Sequence, residues 1–309
     1  MAWGWGRLSG EGRARKQPDA PEWQRGMRNT ALASFFLGWA PILGKLAYAQ
    51  DVTPFTLAAF RTLLAVVLVW AGYFILWRPW PRLTASALVG CIGVGVVNGI
   101  GSLLYYTGLS RLDASHASFL NTLYILWVVL FLTASGQPVH WVTLVRMALA
   151  MVGVYLLTGS GRGEPDWLGM MLMVASAATY GWHLVMGQWV LADVPSRQAT
   201  PYILTAMAAT VGLARVLQGT PVEAISSPAW GAIIALGATT AISRILMFAG
   251  LQRLGGIEAA LVSLLELLVS LVLAFLLLGE RLTTLQWVGG AVLVVSVLMG
   301  ERSARLGRE

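Results

Sequence analysis

Apolar residues come along this chain in long runs, not in the alternation of a half-buried strand or the single stripe of a soluble helix. A helix needs roughly 20 mostly apolar residues to cross the hydrocarbon of a bilayer. Broken at charged or Pro/Gly-rich joints, the pattern predicts ten spans, at 29–49, 54–77, 84–108, 113–134, 140–159, 166–190, 199–218, 229–251, 256–279 and 283–301. The joints are short. "SRLD", between the third and fourth spans, and "QRLGG", between the eighth and ninth, are the tightest and predict two helical hairpins. The expected fold is an all-α membrane protein with ten transmembrane helices.

Composition supports that reading. The chain has 309 residues, 57% hydrophobic and 11% charged, with a mean hydropathy of +0.70, whereas a soluble domain carries about a quarter charged residues. Residues 1–27 and 302–309 are polar and read as tails, the first of them mobile. The first tail lacks the short apolar core and small-residue cleavage site of a secretory signal, so the first apolar run is expected to stay as a membrane helix. The single cysteine, Cys91, excludes an internal disulfide, and the three histidines are too far apart to form an HExxH pair. No metal, cofactor or nucleic-acid partner is expected.

The net charge of +7 matters mainly through its placement. With the N-terminus inside, thirteen Lys and Arg residues fall in the tails and inner loops and three (Arg111, Arg162, Arg281) in outer loops. By the positive-inside tendency both termini are cytoplasmic, here in a bacterial inner membrane.

The chain also repeats itself. "GLSRLDASHASFLNTL" (108–123) aligns with "GLQRLGGIEAALVSLL" (250–265) at an offset of 142, and "GWAPILGKLA" (38–47) with "GWHLVMGQWV" (181–190) at 143. "TPF" (53–55) matches "TPY" (200–202), with proline suited to the first turn of a helix. These matches indicate duplication of a five-helix unit, 28–160 and 161–301. Five is odd, so the second copy inserts upside down, and inverted repeats are a transporter signature with binding where the halves meet.

The approach to the ninth span, the span itself and its exit "LLLGERLTTLQWVGGAVLVVSVLMG" resemble the ten-helix EamA-type branch of the drug/metabolite transporter superfamily. "GLSRLDASHASFL" repeats the approach in the first half, and the resemblance covers about residues 29–301. It implies a central cavity surrounded by the 3–4 and 8–9 hairpins with helices 1, 2, 6 and 7, helices 5 and 10 being peripheral. It also implies export of amino acids, other small metabolites or drugs. Two departures stand out. Leu267 follows Glu266 where the family often has a proline, and "GQPV" (136–139) replaces the glycine–glutamate exit of the fourth helix.

Charged groups at membrane depth usually face the bundle interior or water. Arg146 and Arg215 lie near span ends, where they can snorkel, and Glu258 begins the ninth span, where a carboxylate suits the helix dipole. Glu266 lies about 15 Å deep. It forms either a structural pair with Arg244 in the same hairpin or part of a substrate or gating site. Lys45 and Arg61 sit on the first hairpin and align with Gln188 and Ala208, so the fold does not demand them. They read as a cationic patch for an anionic substrate, with snorkelling the competing use of Lys45. Asn98, Asn121, Tyr124 and His183 offer hydrogen bonds to a cavity or to neighbouring helices. Trp39 and Trp182, at equivalent repeat positions, can line a cavity or wedge helices. Gly95 and Gly99, in GxxxG spacing, permit close packing or expose backbone.

These residues predict a secondary transporter that exports a small metabolite, an amino acid or another carboxylate, by alternating access. Proton coupling through Glu266 or His183 and facilitated diffusion both stay open. No Walker, GxSxG or HExxH motif is present, which argues against direct ATP use or an enzyme. A lipid scramblase or a non-transporting sensor on the same scaffold is the alternative.

Overall fold

The computed structural model describes residues 19–77, 81–112, 114–137, 139–158, 166–219, 221, 224–278 and 283–306. Among these there is no strand. Thirteen helices are described: α1 (Ala20–Leu37), α2 (Ala40–Tyr48), α3 (Pro54–Trp77), α4 (Ala85–Arg111), α5 (Ala114–Thr122), α6 (Tyr124–Ala134), α7 (Trp141–Thr158), α8 (Trp167–Asp193), α9 (Ser196–Leu217), α10 (Ser227–Leu254), α11 (Gly256–Ser263), α12 (Leu265–Leu278) and α13 (Thr284–Leu306). They fall into the ten expected segments because α1–α2, α5–α6 and α11–α12 are each one interrupted span. Eight segments are long and apolar enough to cross a membrane, and the other two are shorter apolar helices, Trp141–Leu156 and Trp287–Met299. Trp141, Trp167 and Trp287 stand exposed in the first turns of α7, α8 and α13, as residues of an interfacial belt do.

The first helix begins earlier than its hydropathy suggests, so the end of the expected tail is ordered. Asp19 accepts the Glu22 amide at 2.9 Å, and Pro21 sits in the first turn, where its missing N–H costs nothing. Gly26 lets this turn lie against Arg253 and Leu254, and Arg253 reaches Glu22 at 2.8 Å. The remainder of that tail, residues 1–18, lies outside the described residues, as do residues 307–309 of the second tail, whose first residues continue α13.

Helix packing follows the repeat. The α4–α8 contact between the halves corresponds to the α10–α1 contact on exchanging them, and α4–α9 corresponds to α10–α3. Two further extensive pairs, α7 with α13 and α3 with α9, each map onto themselves. Close approach explains the GxxxG pair: a Cβ on Gly95 would stand 2.3 Å from the Ile203 carbonyl, and one on Gly99 2.8 Å from Thr210 Cβ. The motif therefore packs α4 on α9. In the 8–9 hairpin the tight joint needs Gly255 at φ 87°, a left-handed conformation that glycine adopts freely.

The three interruptions have local causes. In the first span, Pro41 cannot donate to the Leu37 carbonyl, and Gly38 and Trp39 form a turn between α1 and α2. Neither of the others contains proline. At Leu123 and Leu264 the ladder tightens to i→i+3 bonds, Leu126 to Leu123 at 3.0 Å and Leu267 to Leu264 at 3.1 Å. A hydroxyl just before each bonds back to the helix carbonyls, Thr122 to Phe119 at 2.6 Å and Ser263 to Ala259 at 2.8 Å. Such back-bonding bends helices, so bends persist without the family's proline.

Candidate functional site

A central cavity of about 100 Å³ lies at the three interruptions, large enough for a small organic solute by the roughly 10–15 Å³ that one water occupies on this measure. Its walls come from the first interruption (Leu37, Ala40, Pro41), from Ser118, Asn121 and Thr122 before the second, and from Glu266, Leu267 and Ser270 after the third. Between these stand Arg61 of α3, Asn98, Ser102, Tyr105 and Tyr106 of α4, Ser176 and Tyr180 of α8, and Thr240 and Arg244 of α10. The seventh helix, expected at the cavity, lines none of it. It is occupied instead in packing against α4 and α3.

The cavity centre is built on equivalent positions. At the repeat offset of 142, Asn98 and Ser102 of α4 correspond to Thr240 and Arg244 of α10, and the four residues share the cavity wall. Arg61 bridges the halves, donating to Thr240 Oγ1 at 3.0 Å and to Ser102 Oγ at 2.5 Å. Its guanidinium also lies 4.5 Å from the Tyr106 ring centroid, a cation–π contact. Arg61 is thus held through both terminal nitrogens and on one face, and its Nε alone has no partner among the described residues.

Arg244 is held much less. It is 7% exposed and makes one long bond, Nη2 to Asn98 Oδ1 at 3.3 Å, with its guanidinium 5.6 Å from the Tyr180 ring. Its Nε and Nη1 have no hydrogen-bond partner, and neither has the buried Tyr180 hydroxyl. Buried polar groups are nearly always paired, so the two unpaired nitrogens single out Arg244 among the residues of the cavity wall. Across the cavity, no salt bridge or side-chain hydrogen bond holds the Glu266 carboxylate among the described residues. The expected structural Arg244–Glu266 ion pair is absent.

Five predicted site residues therefore meet: Arg61, Asn98, Asn121, Arg244 and Glu266. Five others lie elsewhere. Lys45 donates its ammonium to the Leu112 carbonyl at 2.6 Å, at the joint of the 3–4 hairpin. Its repeat equivalent Gln188 does the converse at the 8–9 joint, accepting the Gly256 amide. Tyr124 is buried and donates to the Ala260 carbonyl at 3.1 Å. His183 is fully buried against Tyr180 and Phe248, with Nδ1 3.5 Å from the Val94 carbonyl. Trp39 packs among Ile42, Leu273 and Val269, and Trp182 meets Phe131 and Trp189 edge-on.

Nor do Arg146 and Arg215 snorkel. Arg146 is 1% exposed and grips Glu258 with both terminal nitrogens, so Glu258 is an ion-pair partner more than a dipole cap. Its Nε donates to the Ser296 carbonyl at 3.2 Å. Arg215 donates to Thr56 Oγ1 and the Pro221 carbonyl. In both cases protein acceptors stand closer than the membrane surface.

The reading from sequence alone missed the hydroxyl wall, chiefly Ser102, Thr240, Ser176, Tyr180 and Ser270. The signal was present: Ser102 and Thr240 stand opposite Arg244 and Asn98 at the repeat offset, and Ser176 and Tyr180 share a helix face at i, i+4.

Comparison with known proteins agrees with this architecture. YcbK of Bacillus subtilis (strain 168), an uncharacterized transporter, is 28% identical over 280 residues, spanning 86% of this chain and 89% of its own. A protein of known crystal structure, 19% identical, superposes with a TM-score of 0.74 over 93% of this chain and 99% of its own, which shows the shared fold. The EamA-like transporter family model matches twice, over residues 24–159 and again over 167–300, one copy to each half. The chain is a multi-pass membrane protein and belongs to the EamA-like transporter family.

Proposed function

We propose that the protein carries a small carboxylate-bearing metabolite, such as an amino acid or a simple organic acid, by exposing its central cavity to each side in turn. One observation carries the reading: Arg244, a residue of the cavity wall and 7% exposed, has two buried guanidinium nitrogens without a hydrogen-bond partner among the described residues. A carboxylate accepts two parallel N–H bonds from either of these nitrogens together with the neighbouring Nη2, whose bond to Asn98 is long. Tyr105, Tyr106 and Tyr180 offer ring surface to the rest of the solute. Inverted halves around one site suit rocking exchange, and the half-helix ends at the cavity are where transporters of this construction place their ligands. The charge asymmetry favours both termini in the cytoplasm of a bacterial inner membrane, with outward flux when the metabolite accumulates inside.

The test uses purified protein and three probes with one body: phenyllactate, L-phenylalanine and phenylalaninol, which lacks the carboxylate. Ligands that bind the folded state raise its unfolding temperature. At least one carboxylate probe should stabilise the protein, phenylalaninol far less. Arg244→Gln should weaken carboxylate binding roughly ten- to a hundredfold, the usual loss for a charge-assisted bond. Equal binding of phenylalaninol, or scrambling of labelled lipid with no carboxylate binding, would overturn the proposal.

A further inference from the structure

We infer that the cavity takes up one proton on Glu266 with each monoanion it binds, so that anion and proton cross together. The inference rests on the carboxylate reading and adds its coupling.

Three formal charges share the cavity: Arg61, Arg244 and Glu266. Arg61 is already committed to Thr240, Ser102 and the Tyr106 ring, so Arg244 is the guanidinium with room for a ligand. Arg244 is also the charged group acting on Glu266. A monoanion on Arg244 therefore meets an ionised Glu266 in the same small, water-poor space, where like charges repel strongly. A proton on Glu266 removes that repulsion and turns an acceptor into an O–H donor facing the ligand. The balance closes. The empty site holds two positive charges and one negative. The loaded site holds two guanidinium groups, a neutral Glu266 and the anion, with the same net charge.

Other groups do not compete for this role. The titratable side chains that act on Glu266 besides Arg244 are Tyr105 of α4 and Tyr180 of α8 on the cavity wall and Tyr124 of α6 outside it, all phenols. The first span meets α12 through Gly38, Trp39 and Ile42, none of them titratable, and its Lys45 is held by the Leu112 carbonyl; α13 over 284–298 has no titratable side chain. His183 lies behind Tyr180, fully buried, and is not part of the wall. A zwitterion behaves differently, because its ammonium group can neutralise Glu266 in place of the proton.

Proton uptake on ligand addition can be read with a pH indicator in weakly buffered detergent solution, using phenyllactate and L-phenylalanine at matched pH. Phenyllactate should draw about one proton per anion bound, and its affinity should fall about tenfold per pH unit where Glu266 is ionised in the empty protein. Phenylalanine should bind with little uptake. Glu266→Gln should abolish the proton uptake and the pH dependence that accompany phenyllactate binding, and in proteoliposomes the accumulation driven by a pH gradient. Binding of phenyllactate to the parent protein at constant proton count from pH 5 to 9 would overturn the inference while leaving the carboxylate site intact. So would equal uptake with both ligands. Failure of both carboxylates to bind would remove the carboxylate reading itself, and the coupling with it. The parent measurement needs no variant, so poor folding of Glu266→Gln does not blunt the test.

Discussion

Lys45 and Arg244 are both cations in apolar surroundings, and partners separate them. Lys45 already serves the Leu112 carbonyl, so Lys45→Met leaves a buried acceptor unpaired, at about 1–3 kcal/mol. The expected result is an unfolding temperature several degrees lower with carboxylate affinity unchanged; Arg244→Gln should do the reverse. Thermal unfolding with and without phenyllactate measures both. Arg146 supplies a second case. Its pair with Glu258 ties α7 to α11, and reciprocal bonds between Arg146 and Ser296 add α13. Glu258→Gln should destabilise the protein by about 3 kcal/mol, the low end for a broken buried pair because the Glu258 side chain is 26% exposed. Replacing both members with apolar residues (Arg146→Met with Glu258→Leu) should recover most of that loss. A double variant no more stable than the single one would show that the pair stabilises beyond mutual neutralisation.

At the scale of elements, small residues and interrupted helices do different work. Gly95→Ala must push α4 off the Ile203 carbonyl, whereas a Cβ on Gly72 meets nothing within 4 Å. The first substitution should cost about 1–3 kcal/mol or more and the second nothing measurable in detergent unfolding, since Ala is the better helix former. The break at Pro41 is a different kind of feature. Pro41→Ala restores a donor for the Leu37 carbonyl and permits a continuous first span. Stability should rise while exchange of labelled phenyllactate in proteoliposomes falls at least tenfold. Unchanged exchange would mean that the interruption is not required for movement.

For the whole molecule, the charge distribution makes a topological prediction. With Cys91 replaced, cysteines placed at Arg7 and Arg308 should resist impermeant thiol reagents in intact cells, and one at Arg162 should react. Labelling of either tail without lysis would invert or break the arrangement. The same two-fold construction accounts for the corresponding packing of α4 on α8 and α10 on α1, and it places both hairpin joints, with Lys45 at one and Gln188 at the other, at equivalent positions of the two halves.

Hydropathy runs, short joints and the 142-residue repeat were sufficient for the membrane class, the order of the segments and the duplication, because the bilayer constrains each span locally and duplication leaves a direct trace. Of the site, the sequence marked Arg61, Arg244 and Glu266 by the cost of charge at depth. It could not say which cations were already satisfied. That depends on carbonyls and hydroxyls far along the chain, such as Leu112 for Lys45, Glu258 for Arg146 and Thr56 for Arg215. Depth along a helix follows from counting residues, whereas the direction a side chain faces follows from which helices pack together. Only the tertiary structure therefore separated the open guanidinium of Arg244 from the occupied cations around it.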